Sequence, residues 1–265
     1  MADAKPMRLE GKRAVVTGGS GGIGAPLVGM LLAEGAGVTV IGRQPHGNAA
    51  ADHVMADLTA EGGVEAACRA VREVAPEILV CLAGVQYFGP FAAQSAADIE
   101  SAYRVNLVAP AVMANAALPG MIKRRSGHIL FAGSVFGSVP FAHFAAYSSA
   151  KAGLAALTLA LRREYDGHGI TFTCAVPRAV KTSMASDTIR RFADVAGFRF
   201  DAPADVARRI CEVLARGSGE VNPGFPESLL MRLNAMAPGL ASRALAGSDR
   251  KARRLLSTTM RSPAE

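Results

Sequence analysis

The chain has 265 residues, of which 50% are hydrophobic and 19% charged. This composition indicates a large buried core and excludes wholesale disorder. The formal net charge is +7, and part of the excess lies after Pro226. The opening residues are polar and no apolar run reaches the ~18 residues of a membrane span, so we expect a cytoplasmic protein. The cysteines lack metal-binding spacing and predict core positions and no metal site: Cys68, Cys81, Cys174 and Cys211.

Short apolar stretches alternate with longer alanine-rich stretches along the chain. The short stretches are apolar throughout, as expected for strands covered on both faces of a sheet. The alternation predicts an α/β fold with a doubly wound parallel sheet and helices in the flanking layers. We place this domain at residues 1–225 and a basic, amphipathic helical C-terminal extension at 226–265. The predicted strands are RAVVTGG, GVTVIGR, HVMADL, EILVCLAG, GHILFAGS and ITFTCAVP.

The first predicted strand runs directly into the glycine-rich stretch VVTGGSGGIGAPL, which opens the first predicted helix. Glycine at Gly18, Gly22 and Gly24 permits a tight turn, close approach of a pyrophosphate to backbone N–H groups, and close packing of helix on strand. Because strand, turn and helix follow in the order that such sites need, the stretch predicts a dinucleotide site that includes Ser20 and Ile23.

The end of the second predicted strand, VIGRQ, bears on the choice of cofactor. An NAD(H) site favours an acidic residue here, whereas Arg43 can hold a 2′-phosphate through charge-assisted hydrogen bonds. We therefore predict NADP(H), with NAD(H) as the alternative if Arg43 is only an exposed loop charge. Asp57, followed by Leu58, closes the third strand; it is a candidate to bind the adenine amino group or to cap the next helix.

Four features occur together in the chain, and the first is the glycine-rich stretch described above. A tyrosine and a lysine four residues apart leave the same face of a predicted helix. A serine ends the strand thirteen residues before that tyrosine, and an asparagine lies in the preceding predicted helix. These features are TGxxxGIG from Thr17 to Gly24, YxxxK at Tyr147 and Lys151, Ser134, and Asn106.

This combination resembles the classical short-chain dehydrogenase/reductase family, and the resemblance covers residues 9–207. It implies a single Rossmann-type domain, NAD(P)(H) dependence, and an Asn-Ser-Tyr-Lys tetrad that reduces carbonyls or oxidises alcohols. It also implies homodimers or homotetramers formed by the long alanine-rich helices. By the same resemblance, the cofactor is flanked by Ala83 and Gly84 in CLAG, and by Pro177, Val180 and Thr182 in VPRAVKT.

The tetrad has a consistent chemistry. Hydride transfer to a carbonyl carbon builds negative charge on oxygen, and Tyr147 can supply the proton if its pKa falls from about 10 towards the working pH. Lys151 and the oxidised nicotinamide are cations that favour tyrosinate. Ser134 can hold the substrate oxygen. By resemblance, Asn106 opens its helix locally and holds a water that links Lys151 to solvent.

Four positions depart from the family pattern. Cys81 and Leu82 replace two asparagines, which predicts that a structural hydrogen bond is lost or replaced. Gly21 stands where NADP-preferring members often carry a basic residue, so the cofactor prediction depends on Arg43. Arg178 occupies the usual glycine position after Pro177, where it either anchors an acidic substrate group or has a structural role.

The stretch SMASDTIRRFADVAGFRFD after Thr182 corresponds to the substrate lid of the family. Its mixture of apolar residues and arginines predicts either an apolar pocket with a basic rim or an ordinary lid whose arginines extend into solvent. A histidine in the loop before Tyr147 is a further candidate, either as a second proton donor or as a plain loop residue. The candidate substrate residues are Gln86, Tyr87, His143, Arg178 and Met184.

We therefore predict an NADP(H)-dependent oxidoreductase that acts on a carbonyl or secondary alcohol, with Tyr147 as acid/base. The substrate is predicted to be hydrophobic, with a 3-oxoacyl thioester on a carrier as one candidate. The alternatives are a membrane-associated lipid or steroid-type alcohol dehydrogenase and a low-activity cofactor-binding scaffold or sensor. The basic tail is either a solvated terminus or a contact for a membrane surface or an acidic carrier protein. No nucleic-acid-binding motif is present in the sequence.

Overall fold

The computed structural model describes residues 9–259. Six parallel strands form one sheet in the order β3-β2-β1-β4-β5-β6, and each coincides with one of the six predicted strand segments, although β3 begins one residue earlier than predicted, at Asp52. A two-stranded parallel sheet lies apart from them. The strands are β1 (Arg13–Thr17), β2 (Gly37–Gly42), β3 (Asp52–Met55), β4 (Ile78–Cys81), β5 (Gly127–Ala132), β6 (Ile170–Ala175), β7 (Ala179–Val180) and β8 (Phe200–Asp201).

Helices alternate with the strands, as the sequence predicts. A 3₁₀ turn (Phe91–Ala93) precedes the third helix, and a π-helical turn (Arg104–Val108) separates the third from the fourth. The helices are α1 (Gly24–Ala33), α2 (Glu61–Val74), α3 (Ala96–Tyr103), α4 (Ala109–Arg124), α5 (Val135–Ser138), α6 (Ala145–Glu164), α7 (Asp187–Ala196), α8 (Pro203–Arg216), α9 (Glu227–Met236) and α10 (Pro238–Thr259).

The main sheet is covered on both faces, which confirms the three-layer αβα arrangement. Side chains of α1 and α8, such as Leu31 and Leu214, form one buried cluster with the sheet. Side chains of α2, α4 and α6, such as Val71, Met113 and Leu154, form the other. Chain order along the sheet reverses between β1 and β4, and in such sheets ligands bind in the crevice at the carboxyl ends of the strands, at this point.

A third buried cluster joins the lid to the C-terminal helices. The lid is the segment 181–199 between β7 and β8, and it contains α7. Its side chains Ile189 and Phe192 are buried in a cluster that also includes Ala252 of α10 and, half-buried, Leu230 of α9. The extension therefore packs onto the lid. Residues 1–8 of the predicted domain and Arg261 and Glu265 of the predicted tail lie outside the described residues.

Two hydrogen bonds supplement this packing. The Lys251 ammonium donates to the carbonyl of Val195 near the end of α7 (2.9 Å), and the Asn234 amide donates to the carbonyl of Ser138 (2.8 Å). The two C-terminal helices are thus tied both to the lid and to the short helix α5.

The sequence analysis expected no apolar run long enough for a membrane span, but the continuous helical stretch Ala96–Arg124 meets that criterion. It reaches a mean hydropathy of 1.5, which by length and composition alone suffices for a membrane span. Half of its most apolar window is buried inside the protein, where Met113 and Leu118 belong to the core. We therefore assign it as a core helix.

Candidate active site

One cleft of about 730 Å³ opens at the carboxyl ends of β1, β2, β4 and β5. Every predicted cofactor-binding residue lines it, from Gly18 in the first turn to Thr182 after β7. The lining also includes Ser134, Tyr147 and Lys151 of the predicted tetrad. The structure thus brings together residues that are more than a hundred positions apart in the sequence.

The floor of this cleft is backbone that tolerates no side chain. Gly18 has φ +69°, and a Cβ placed there would lie 2.8 Å from the Ala83 nitrogen. A Cβ at Gly22 would lie 2.6 Å from Cγ2 of Thr182, and one at Gly24 would overlap the carbonyl of Gly18. The glycines leave a cradle beside the first turn of α1, and this cradle fits the pyrophosphate of a dinucleotide.

The far end of the cleft carries the residues predicted to bind the adenosine part. Arg43 is exposed there and lines the cleft beside Ser20, whose hydroxyl donates to the carbonyl of Gln44 (3.1 Å). Asp57 Oδ1 accepts hydrogen bonds from the amide and hydroxyl of Thr59 (3.0 and 2.8 Å). These bonds, with a smaller contribution from the charge of Arg43, lower the pKa of Asp57. Because Thr59 precedes α2, Asp57 builds the turn before the helix rather than capping its first turn.

The short helix α5 and the long helix α6 position the serine and tyrosine of the tetrad. Ser134 is the N-cap of α5, and its hydroxyl oxygen accepts from the amide of Phe136 (3.1 Å). The Ser134 side chain also faces the phenol of Tyr147 on α6 and acts to lower the pKa of that phenol. The helix-capping role and the active-site role of Ser134 therefore coexist.

Burial dominates the ionisation of the Tyr147–Lys151 pair. Removal from water raises the pKa of Tyr147, and the Ser134 side chain only partly opposes this. Burial also lowers the pKa of Lys151 to about 8. The Lys151 ammonium donates to the carbonyl of Ala132 (2.8 Å) and lies 5.7 Å from the centroid of the Tyr147 ring. The sequence predicted a lowered tyrosine pKa; in the described chain it is raised, because desolvation outweighs the neighbouring groups.

Asn106 lies in the π-helical turn, consistent with the predicted local opening of its helix. Its side-chain nitrogen donates to the carbonyls of Val85 and Ala102 (2.8 Å each), and its oxygen accepts from the Val85 amide (3.4 Å). It is fully buried behind Gly84 and does not line the cleft. Asn106 thus holds the loop after β4 against which a cofactor would lie, and its role in a water relay stays a prediction.

The loop after β4 replaces the hydrogen bond that the departures at Cys81 and Leu82 put in question. Thr17 Oγ1 accepts from the amide of Ala83, and the Thr17 carbonyl accepts from Leu82 (3.2 Å each). Cys81 is buried, and burial raises the pKa of its thiol to about 12. The strands are joined through the threonine of β1, so these two substitutions leave the loop in place.

Arg178 lines the cleft, but carboxylates hold its guanidinium. Its Nε and Nη2 donate to Asp201 Oδ1 (3.1 and 2.7 Å), and Nη1 lies 3.9 Å from Glu227 of α9. The other oxygen of Asp201 accepts from Arg209 of α8 (2.8 Å). We call these four residues the Arg178 clamp. It joins the loop after β6, the end of the lid, α8 and the C-terminal extension, which favours the structural alternative for Arg178.

The remaining substrate predictions separate into two groups. Gln86 and Met184 line the cleft together with Arg178. Tyr87 and His143 are absent from the lining: the Tyr87 ring lies against Gly89, and the His143 ring contacts Phe88 edge-on at 6.0 Å. The histidine is therefore a loop residue at the border of the aromatic cluster.

Aromatic side chains form the substrate end of the cleft: the sequence analysis expected those of the lid but did not single out Phe136 and Phe144. Phe136 and Phe144 line it beside Tyr147, opposite Phe192 and Phe198 of the lid. The signal was present in SVFGSVPFAHF, where phenylalanines follow Ser134 at short intervals. Three lid arginines are exposed and do not line the cleft, so this end is apolar without a basic rim: Arg190, Arg191 and Arg199.

Comparison with known proteins agrees with this geometry. Residues 12–191, more than half of the chain, match the adh_short model, which describes short chain dehydrogenases. The 2-(S)-hydroxypropyl-CoM dehydrogenase 3 of Xanthobacter autotrophicus is 30% identical over 78% of this chain and 91% of its own length. The 3-oxoacyl-(acyl-carrier-protein) reductase FabG of Vibrio harveyi is 31% identical over 67% of this chain and 77% of its own length.

Solved structures show the same fold. A short chain dehydrogenase from Burkholderia cenocepacia J2315 in complex with NADP is 29% identical, with a TM-score of 0.69 over 80% of this chain and 96% of its own. Another from the same organism, also with NADP, reaches a TM-score of 0.76 over 91% of this chain and 99% of its own at 23% identity. The chain therefore belongs to the short-chain dehydrogenase/reductase family, whose members are NAD(P)-binding oxidoreductases.

Proposed function

We propose that the protein is an NADP(H)-dependent oxidoreductase that interconverts a hydrophobic carbonyl compound and its secondary alcohol. One observation carries this proposal: Ser134 and Tyr147 line the same cleft, whose lining runs from the glycine loop to aromatic side chains. A dinucleotide fits the glycine-lined part. An apolar substrate fits the aromatic part, with its reacting oxygen at the pair.

The proposed chemistry assigns one step to each polar side chain. NADP(H), when bound, supplies the hydride for the carbonyl carbon. Tyr147 donates its hydroxyl proton to the substrate oxygen, so that the oxygen becomes the hydroxyl of the product alcohol. Ser134 donates a hydrogen bond to the same oxygen as negative charge develops on it. Burial raises the pKa of Tyr147, so the phenol holds its proton before the reaction. The positive charges of Lys151 and of a bound oxidised nicotinamide favour tyrosinate and so assist release of that proton.

The preference for NADP(H) is supported by the residues around the adenosine end. Arg43 supplies a cation at the end of β2, whereas Asp57 is occupied with Thr59. A charge-assisted hydrogen bond contributes roughly 1.5–3 kcal/mol, so Arg43→Ala should weaken NADPH binding by about tenfold or more and leave NADH binding nearly unchanged. Fluorescence titration of both cofactors measures this.

Arg72→Ala, which removes a cation from α2 away from the cleft lining, is the matched control and should alter neither affinity. Equal affinities of the wild-type protein for NADPH and NADH would contradict the cofactor proposal.

The substrate class follows from the aromatic end of the cleft. Its phenylalanines favour an acyl chain or ring, and no lid arginine is placed to bind an acidic group there. The relative named as a 3-oxoacyl-(acyl-carrier-protein) reductase makes 3-oxoacyl thioesters the first candidates, with a carrier as the attached partner. Oxidation of NADPH with 3-oxoacyl thioesters, cyclic ketones, aldehydes and polar keto acids tests this. Turnover of polar keto acids alone would refute the hydrophobic substrate.

The same proposal includes a cytoplasmic homodimer or homotetramer. Val108, Val112 and Leu159 are exposed apolar side chains on or next to α4 and α6, and these are the helices that the family resemblance pairs. A low-activity scaffold is the weaker alternative, because Ser134, Tyr147 and Lys151 all line the cleft. A membrane-associated lipid alcohol dehydrogenase is favoured by one observation, the exposed apolar side chains of the C-terminal helices.

A further inference from the structure

The helix α9 is apolar on two opposite faces. Leu230 and Met231 on one face pack against the lid cluster. On the other face, Leu229 and Met236 are 56% and 86% exposed, and no residue of α9 is fully buried. A surface helix normally presents polar residues to water on its outer face. An apolar outer face therefore indicates that something else covers it.

The outer face continues into the flanking segments. Phe225, just before α9, is 75% exposed, and Leu240, in the first turn of α10, is 53% exposed. Within α9, Leu229, Arg232 and Met236 follow the i, i+3, i+7 spacing of one helical stripe. In α10, the exposed side chains of Leu240 and Arg243 are three residues apart and so share a face of that helix. We call this set the outer stripe: Phe225, Leu229, Arg232, Met236, Leu240 and Arg243.

We infer that the outer stripe docks the protein on an anionic lipid surface. Apolar side chains that stand beside arginines on one helix face are the pattern by which interfacial helices enter the boundary between headgroups and acyl chains. Residues 227–259 carry six basic and two acidic side chains, which favours an anionic leaflet. The nearest acid, Glu227, faces Arg178 of the clamp and lies outside the stripe.

A second copy of the chain is the less suitable occupant. Two outer stripes packed on each other would bring their arginines together without acidic partners, and such like-charge contacts oppose association. The oligomer contact of the proposed function uses the different exposed surface on α4 and α6. The outer stripe is made of other residues, on α9 and α10 and just before α9.

The position of the stripe relates docking to the substrate. The inner face of α9 packs on the lid, and the lid roofs the aromatic end of the cleft. A bilayer touching the outer face therefore lies next to the roof of the site, where a membrane-dissolved carbonyl lipid would approach. Only this last step rests on the proposed function, since the surface itself is independent of turnover.

Co-sedimentation of the full chain with phospholipid vesicles tests the inference. We expect binding to vesicles of phosphatidylcholine with phosphatidylglycerol, weaker binding to phosphatidylcholine alone, and weakening of the anionic binding by salt. The double variant Leu229→Ser/Met236→Ser removes apolar surface from the stripe and should lower the partition coefficient about tenfold or more. Arg232→Gln/Arg243→Gln should lower binding only to the anionic vesicles.

The matched control is Met55→Ser/Phe91→Ser, which changes two exposed apolar side chains on other elements (60% and 55% exposed) and should bind like the wild type. Circular dichroism and NADPH titration establish that each variant is folded. Failure of the wild type to bind anionic vesicles, or equal binding by the Leu229/Met236 variant, overturns the inference. A change of oligomeric state in that variant without lipid also overturns it, because the stripe would then be a self-contact. If the wild-type protein binds anionic vesicles but reduces no carbonyl compound, the proposed function is refuted and the docking surface is still supported.

Discussion

The cofactor end of the cleft is walled by backbone, whereas the substrate end is walled by aromatic side chains. At the cofactor end Gly18 lies against Ala83, and Lys151 donates to a backbone carbonyl. At the substrate end Phe136 and Phe144 are 4.9 Å apart between ring centroids, and the lid contributes further rings. Hydrogen bonds to backbone fix a position, while apolar packing tolerates substitutions of similar volume. The first end therefore suits one fixed cofactor and the second suits a variable substrate.

The prediction with the largest expected effect removes the proton donor, which lies where the cofactor end and the substrate end of the cleft meet. Tyr147→Phe deletes one oxygen and keeps the ring that contacts Phe136 at 6.3 Å. We expect kcat to fall about a thousandfold, which corresponds to about 4 kcal/mol of transition-state stabilisation. The affinity for NADPH should stay within about twofold of the wild type, because the glycine cradle is unchanged. Single-turnover kinetics and cofactor titration measure the two effects.

Tyr165→Phe is the matched control, since it removes a phenolic oxygen from a tyrosine that packs on Phe172 outside the cleft. It should leave kcat unchanged. Retention of most of the turnover by Tyr147→Phe would show that the proton comes from another group and would break the assignment of the tetrad.

The same contrast explains what the sequence could predict. Strands were recognisable because sheet strands covered on both faces are apolar throughout, and the glycine loop because its backbone conformation excludes side chains. The YxxxK pair was recognisable from its helical spacing. These features depend on local backbone geometry, which short stretches of sequence encode directly, whereas Ser134 and Asn106 were identified through the resemblance to the family.

Features that depend on a distant partner were not predictable. Arg178 and Asp201 are 23 residues apart, and no pattern indicates that one carboxylate would hold two arginines. Tyr87 and His143 follow cleft-forming segments, yet tertiary packing turns both away from the cleft. The apolar inner face of α9 predicted burial, but only the folded chain identifies the lid as its partner.

A buried histidine within the parallel sheet tests whether the core excludes a charged side chain. His128 of β5 is fully buried, and its Nε2 lies 2.9 Å from Thr173 Oγ1. Its Nδ1 has no hydrogen-bond partner among the residues that the structure describes. Burial lowers its pKa from 6.5 to about 4. The folded state therefore stays neutral where the unfolded chain takes up a proton. Above pH 6.5, His128 is neutral in both states and does not reduce the free energy of unfolding. As the pH falls from 6.5 towards 4, the free energy of unfolding decreases by at most about 3 kcal/mol.

Urea unfolding at several pH values measures this loss. His168→Gln, at a histidine in the turn before β6, is the control and should show the pH slope of the wild type. NMR titration of the His128 imidazole checks the cause directly. An imidazole that titrates near 6.5 in the folded protein would contradict the prediction and would indicate that water reaches the core at β5.

The smallest predicted effect concerns the Arg178 clamp, which joins the loop after β6 to β8, α8 and α9. Arg178→Gly restores the residue usual in the family and removes both hydrogen bonds to Asp201, which then retains Arg209 alone. Because the clamp holds the end of the lid and Glu227 of α9, we expect the lid to open more often. KM should rise about tenfold, or about 1.4 kcal/mol, with kcat within about twofold, since Arg178 acts through the lid.

Hydrogen exchange of the lid 181–199 provides a readout that does not depend on turnover and should be faster in Arg178→Gly. Arg178→Lys keeps the charge without the planar fork and should lie between the two. Arg208→Ala, the neighbour of Arg209, breaks only exposed ion pairs with Asp205 and Glu212 and should change neither KM nor exchange. If Arg178→Gly lowers kcat without changing KM or the hydrogen exchange of the lid, the structural role of Arg178 is contradicted. Arg178 would then contact the reacting groups, and the substrate end of the cleft would contain a functional cation.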